Sequence, residues 1–213
     1  AIDTFEGRAW VGVVPFTMWG VRASLLPPVP GTSAFHELNV RTYVHYDGVP
    51  GVWFLSMDAS NALAVWGARR FYHLPYYNAR MNLGGNARTV VYGSERTDRR
   101  AAPAAFGATW EIGEPLEQPE PDSLTFFLTE RYCLYSARRE ELFRCRIHHQ
   151  PWPLRRATLT HHDSDVLEAL GLPAPQGEPL LHYAEAIKTD IWPLARVRTR
   201  IPAQVFEPTG AAL

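Results

Sequence analysis

From residue 35 to 46 hydrophobic and polar positions alternate: Leu38, Val40, Thr42, Val44 and Tyr46 fall on one face of a strand, and Glu37, Asn39, Arg41, Tyr43 and His45 on the other. Asp47-Gly48 behind it predicts a hairpin, with a loop slightly longer than two residues, into a strand over 52–57. Short runs of the same kind predict strands at 8–16, 76–83, 88–94, 106–112, 132–135, 142–149, 155–161, 180–187 and 191–198. Turns fall at 27–31, at Gly84-Gly85-Asn86 and at the charged residues 138–141. Two helices are expected: 59–71, capped by Asp58 and stopped by Pro75, and a short one opened by Asp163 or Ser164 and ending before Gly171. The acidic, proline-rich stretch 114–122 reads as a surface loop, because strands continue on both sides. Many strands, two inserted helices and no βαβ alternation define a mainly antiparallel β fold of the α+β class. It is expected to curl into a barrel or sandwich as one domain over 1–213, with the helices at its side or mouth.

Composition narrows the function classes. With 21 basic and 22 acidic residues in 213, the chain lacks the overall positive charge that draws proteins to nucleic acid. No run approaches the ~18 apolar residues of a membrane span. Two cysteines are too few for a disulfide framework and no stretch reads as a signal peptide, so the cytoplasm is the expected compartment. Cys133 and Cys145 can still face each other across a hairpin. All basic side chains but Lys188 are arginine, so chemistry needing a neutral amine rests on Lys188 or the chain terminus.

Gly-rich phosphate loops, dinucleotide fingerprints, His-Glu-x-x-His, Cys-x-x-Cys and the Gly-x-Ser-x-Gly elbow are all missing. The pairs His148-His149 and His161-His162 could meet around a metal with help from Asp163, but neighbours on a strand point to opposite faces, so each pair easily offers only one ligand and surface or hydrogen-bonded histidines are the favoured reading. The densest constellation runs from Trp66 to Tyr77, where Arg69, Arg70, His73, Tyr72, Tyr76 and Tyr77 gather at a helix-to-strand junction. Such a cluster can hold a carboxylate; equally, the arginines can solvate the helix end while the rings pack.

The segments "FEGRAWVGVVPF", "FHELNVRTYV", "VWFLSMDASNALAVWGARR", "LPYYNARM", "FLTERYCLYS" and "HHQPWPL" resemble the uncharacterised YqjF-like family over most of the chain. That family is similar, more distantly, to the acetoacetate decarboxylases, which implies an antiparallel β-barrel or cone around a small-molecule pocket, with two or three short helices and no cofactor or metal. The decarboxylases carry a glutamate, nine strand residues and Asn-Gly; here Glu37 is followed by Leu38 to Tyr46 and Asp47-Gly48. They also carry Gly-Arg-Glu, four residues, then Pro-Lys-Lys, whose first lysine forms the Schiff base. This chain has Ala68-Arg69-Arg70, four residues, Pro75 and Tyr76-Tyr77. Both lysines are replaced by phenols, which cannot condense with a ketone, so an imine-forming decarboxylase is not expected. The family's further segment ahead of Asp3-Thr4-Phe5, whose counterpart in the decarboxylases supplies an arginine, has no match here. Either Arg41, Arg69 or Arg70 provides that cation, or the fold lacks a strand.

The resemblance thus implies a pocket for a small organic acid or carbonyl compound. Glu37 is its base and Tyr76 its hydrogen-bond donor, with Arg41, Arg69, Arg70, His73 and Tyr77 as ligand-binding candidates. The rivals are a non-catalytic ligand-binding module using the same pocket, and an assembly protein whose aromatic, arginine-rich surface joins copies into a homo-oligomer. Glu130-Arg131-Tyr132 and His149-Gln150-Pro151-Trp152 carry no assigned chemistry.

Overall fold

The computed structural model describes residues 1–21, 34–175 and 177–200, so the turn expected at 27–31 lies outside the described residues. Its spine is three antiparallel strands, β1 (Val11–Trp19), β2 (Ala34–Tyr46) and β3 (Val49–Ala59). The far edge of β3 is shared between two parallel partners. Met57 to Ala59 pair with the start of β4 (Tyr76–Gly85), and Val52 and Trp53 with β7 (Cys133–Arg138). One wing runs from β4 through β5 (Thr89–Arg96), β6 (Ala105–Pro115) and β9 (Arg155–Ser164) to the two-residue β10 (His182–Tyr183). The other runs from β7 to β8 (Glu141–His149), which also pairs with β11 (Thr189–Ile191) and β12 (Ala195–Arg200). The sheet is mainly antiparallel as expected, but among the described residues its outer strands do not meet, so it is not a closed barrel.

Several boundaries differ from the sequence expectation, each for a local reason. The β2–β3 loop has two residues, not more: Tyr46 pairs with Val49, and Asp47 and Gly48 both take positive φ (52° and 72°), the twist of a type I′ turn. Asp58 does not cap the first helix, because β3 continues through Ala59. Asn61 caps it instead, its Oδ1 accepting from the amides of Leu63 and Ala64 at 3.1 and 3.0 Å. The helix, α1 (Ala62–Gly67), passes into a π-helical turn over Ala68–Tyr72. A second helix, α2 (Leu124–Thr129), arises where none was expected, capped by Ser123 Oγ on the Phe126 amide. Asp163 and Ser164 finish β9, and only a 3₁₀ turn, Glu168–Leu170, follows. The cysteines lie on opposite faces: Cys145 is directly across from Leu134, so Cys133 points the other way and the two cannot face each other.

β2 is buried on both faces. Leu38 and Val40 pack with Tyr92, Phe106, Ala108 and Val166 between the spine and the β4–β9 wing. Phe35 and Tyr43, on the opposite face, pack with Val52, Met57, Tyr76 and Leu134 beneath Val65 and Leu74. Phe127 and Leu128 of α2 close over that cluster from another side. Val52 and Met57 share this face despite opposite parity. The pairing jumps from Val40–Ser56 to Arg41–Phe54, and the bulged Leu55 resets the alternation.

Candidate functional site

The polar positions of β2 face inward. Glu37 is 1% exposed and lies across from Ala59, while Asn39 lies across from Met57, which pairs with Tyr76. Tyr76 therefore begins β4 one step along from Glu37, and its hydroxyl donates to Glu37 Oε2 at 2.5 Å. The Asn39 side chain is a second hydrogen-bond partner of that carboxyl. Burial outweighs both bonds and raises the Glu37 pKa from 4.5 to about 7. Burial and the adjacent carboxylate push the Tyr76 phenol well above its usual 10, so it stays protonated and acts as a donor. From the other face, the Tyr92 hydroxyl donates to the carbonyls of Glu37 and Phe16 at 2.9 and 3.0 Å, tying β1 and β2 together behind the carboxyl.

Arg41 lies on the same inward face, two residues beyond Asn39. Its Nη2 approaches the Leu128 carbonyl at 3.4 Å, and its guanidinium sits 5.9 Å from the Tyr43 ring centre. Arg69 reaches the site only through backbone, donating from Nη1 to the Tyr76 carbonyl at 2.9 Å. Tyr77 points to the opposite face from Tyr76, as strand alternation requires. Its ring lies 4.7 Å from the Arg96 guanidinium and 5.7 Å from that of Arg69. Arg70 is exposed and rests over Phe71, and His73, at φ 56°, meets Phe143 edge-on at 4.9 Å. Burial and Arg138 lower the His73 pKa. Glu37, Tyr76 and Arg41 thus share one face, Arg69 braces it, and Tyr77, Arg70 and His73 point elsewhere.

Behind the site is an ion pair that sequence reasoning missed. Arg96 Nε donates to Asp58 Oδ1 at 2.7 Å and Nη2 to Asp58 Oδ2 at 3.0 Å, with Ser56 Oγ 2.6 Å from Nη2. Both charged side chains are almost fully buried. In sequence Asp58 reads as a helix cap, and only the strand's continuation through Ala59 turns it inward.

The two unassigned motifs meet each other. Tyr132 donates to Glu130 Oε2, His149 stacks on Tyr132 at 4.7 Å, and Trp152 contacts His149 at 5.3 Å while its Nε1 donates to the Thr129 carbonyl. Arg131 bonds Asp3 at 2.5 Å and lies 4.1 Å from the Phe127 ring, holding the N-terminal stretch against α2. Lys188 is exposed just ahead of β11. A cleft of about 260 Å³ lies at the far end of β2 from Glu37, beside Tyr46, Asp47 and Arg144.

A chain with this open, mainly antiparallel sheet and its buried carboxyl–phenol pair belongs to the DUF2071 family of uncharacterized conserved proteins, whose model matches residues 1–188. Uncharacterized protein YqjF of Bacillus subtilis (strain 168) is 43% identical over 198 residues, covering 92% of this chain and 80% of that protein. Solved structures with a similar course include acetoacetate decarboxylase from Legionella pneumophila, at 12% identity and TM-score 0.46, covering 90% of this chain and 83% of that one. Another is the enduracididine biosynthesis enzyme MppR complexed with pyruvate, at 13% identity and TM-score 0.47. That match covers 78% of this chain and spans 65% of the MppR chain.

Proposed function

We propose that the face carrying Glu37, Asn39, Arg41 and Tyr76 binds a small organic acid or carbonyl compound and moves a proton on it. The observation that carries this reading is Glu37: a buried carboxyl held by a phenol and an amide, with its pKa near 7. A base with that pKa is about half ionised at neutral pH, which suits general acid–base work. Ionised, Glu37 takes a proton from a carbon beside a carbonyl, exchanges it with water, and returns a proton from the solvent pool to carbon or oxygen. Tyr76 keeps its own proton throughout and holds the carboxylate in place. Arg41 is the anion anchor on this reading, since Arg69 is engaged with the Tyr76 backbone and the Tyr77 ring. Imine chemistry is not part of it: Tyr76 and Tyr77 are phenols and Lys188 lies exposed beside β11. The reading takes the chain as one domain in a reducing cytoplasm.

Deuterium exchange tests it without knowledge of the product. The protein in D₂O is expected to speed loss of the proton signals beside the carbonyl of oxo acids, followed by NMR, and Glu37→Gln should abolish that rate while ligands still bind. If Glu37→Gln weakens binding and no exchange is seen with the parent protein, the pocket is a binding module rather than an enzyme.

One observation favours a separate interaction role. Leu63, Trp66 and Phe71 are 64%, 61% and 57% exposed, with the Trp66 and Phe71 rings in edge contact at 5.7 Å, which suits a contact between copies of the chain. Light scattering at micromolar concentration tests this, and a monomer would count against it.

A further inference from the structure

Four buried side-chain atoms have no hydrogen-bond partner among the described residues: Trp10 Nε1, Asn39 Oδ1, Arg41 Nε and Ser136 Oγ. All four belong to one face of one sheet. Asn39 and Arg41 alternate with Leu38 and Val40 and so share the Glu37 side of β2. Gly12 lies directly across from Arg41, and Trp10, two residues earlier, shares its side. Ser136 follows Leu134 by two on β7, and Leu134 sits in the row Tyr43–Val52–Leu134–Cys145 that lines this face. Asn39 is 3% exposed and Ser136 likewise, so water at the surface does not satisfy them. Buried polar groups left unpaired are a cost that folded chains rarely keep, and four on one face mark a place built for something polar.

Their chemistry has an order along the strand. At one end are the N–H donors of Trp10 and Arg41 and the hydroxyl of Ser136, a set suited to a carboxylate. Gly12 lets the Arg41 and Tyr43 side chains pack close over β1 there: a Cβ would stand 3.6 Å from Arg41 Nε and a tight 3.3 Å from the Tyr43 hydroxyl. In the middle, Asn39 Oδ1 lacks a donor. At the other end stand Glu37 and Tyr76. Side chains on one face of a strand are ~7 Å apart, so the Glu37 and Arg41 positions are separated by roughly 13 Å at the backbone.

Building on the organic-acid reading above, we infer that the ligand is an extended acid rather than a three-carbon one. Its carboxylate sits at Trp10, Arg41 and Ser136, a mid-chain N–H or O–H donates to Asn39 Oδ1, and its carbonyl lies at Glu37 and Tyr76. An N-acylated amino acid with several methylenes between nitrogen and carboxylate has all three groups in this order.

Calorimetric titration of the full chain with four probes tests the inference: pyruvate, 6-oxoheptanoate, its amide isostere N-acetyl-4-aminobutanoate, and N-butylacetamide, which lacks the carboxylate. The amide acid is expected to bind at least tenfold tighter than pyruvate and severalfold tighter than 6-oxoheptanoate. Trp10→Phe, which removes one N–H and keeps an aromatic ring, should weaken both seven-atom acids at least fivefold and leave N-butylacetamide unchanged. Gly12→Ala, which narrows the carboxylate end, should act in the same direction if Trp10→Phe proves poorly folded. Pyruvate binding as tightly as the long acids, or neither variant affecting them, overturns the extended ligand while the pocket reading stands. No heat with any probe overturns both.

Discussion

Replacing Glu37 by glutamine should stabilise the protein, and the gain should depend on pH. A carboxyl whose native pKa is raised holds its proton more tightly folded than unfolded. The native state then loses stability as pH climbs from about 4.5 to about 7, the interval set by burial of Glu37, and the full penalty is present above it. A shift of that size corresponds to about 3 kcal/mol at ~1.4 kcal/mol per pH unit. Glutamine keeps the shape and an acceptor for the Tyr76 hydroxyl and carries no charge to desolvate. Near pH 4.5 the parent carboxyl is already neutral and the variant should melt within a degree or two of it. At pH 8 the variant should melt roughly 6–12 °C higher, taking ~2–4 °C per kcal/mol for a chain of this length. Paired thermal melts at the two pH values make the measurement. Equal differences at both, or a Glu37→Gln protein less stable than the parent at pH 8, would refute the assignment of Glu37 as a buried carboxyl without a compensating cation.

Arg96→Met should cost about 3–5 kcal/mol in urea denaturation at neutral pH, because Asp58 is left buried without its partner, and adding Asp58→Asn should recover much of it. Burial already raises the Asp58 pKa, so the loss should shrink at acid pH as that carboxyl takes up a proton. Gly51→Ala should destabilise by at least ~1–3 kcal/mol in the same assay, since its Cβ would stand 2.7 Å from the Cys133 carbonyl and 2.8 Å from the Tyr135 ring. Burial pushes the Cys145 thiol to about 11 and raises Cys133 as well, so mass spectrometry should find neither alkylated in the native protein at pH 7.5 and both after unfolding.

The strands could be read from the sequence because their signal is local: alternation along 35–46 and turn residues between runs. What escaped was set by tertiary contacts. Residues 124–129 form a helix because Ser123 caps them and the Phe127 ring packs against Phe5 and Tyr43, neither of which periodicity over six residues reveals. The end of β3 is not legible locally, because Asp58 is a good cap in isolation and a better partner for Arg96, 38 residues away. The site shows the same division. Glu37, Asn39 and Arg41 follow from period-two spacing, and Tyr76 from its place after Pro75. Trp10 and Ser136 reach that face only through pairing registers with strands that the sequence does not order, and the bulge at Leu55 decides which β3 side chains join them. Arg70 and His73 lie close to Tyr76 in sequence, yet the π-helical turn carries both away from Glu37.

The divided edge of β3 also constrains the order in which the chain assembles. Its pairing with β2 closes across two residues and is quick to form, whereas the parallel contacts are less local: Met57–Ala59 meet β4 across a short helical crossover, and Val52–Trp53 meet β7 only across much of the chain. Each wing has antiparallel hairpins of its own, β4–β5–β6 and β7–β8, that can form without the other. The β2–β3 hairpin is therefore expected to form first, with the two wings docking onto it. Slow-exchanging amides should concentrate in that hairpin, and damage confined to one wing should leave the other's protection intact.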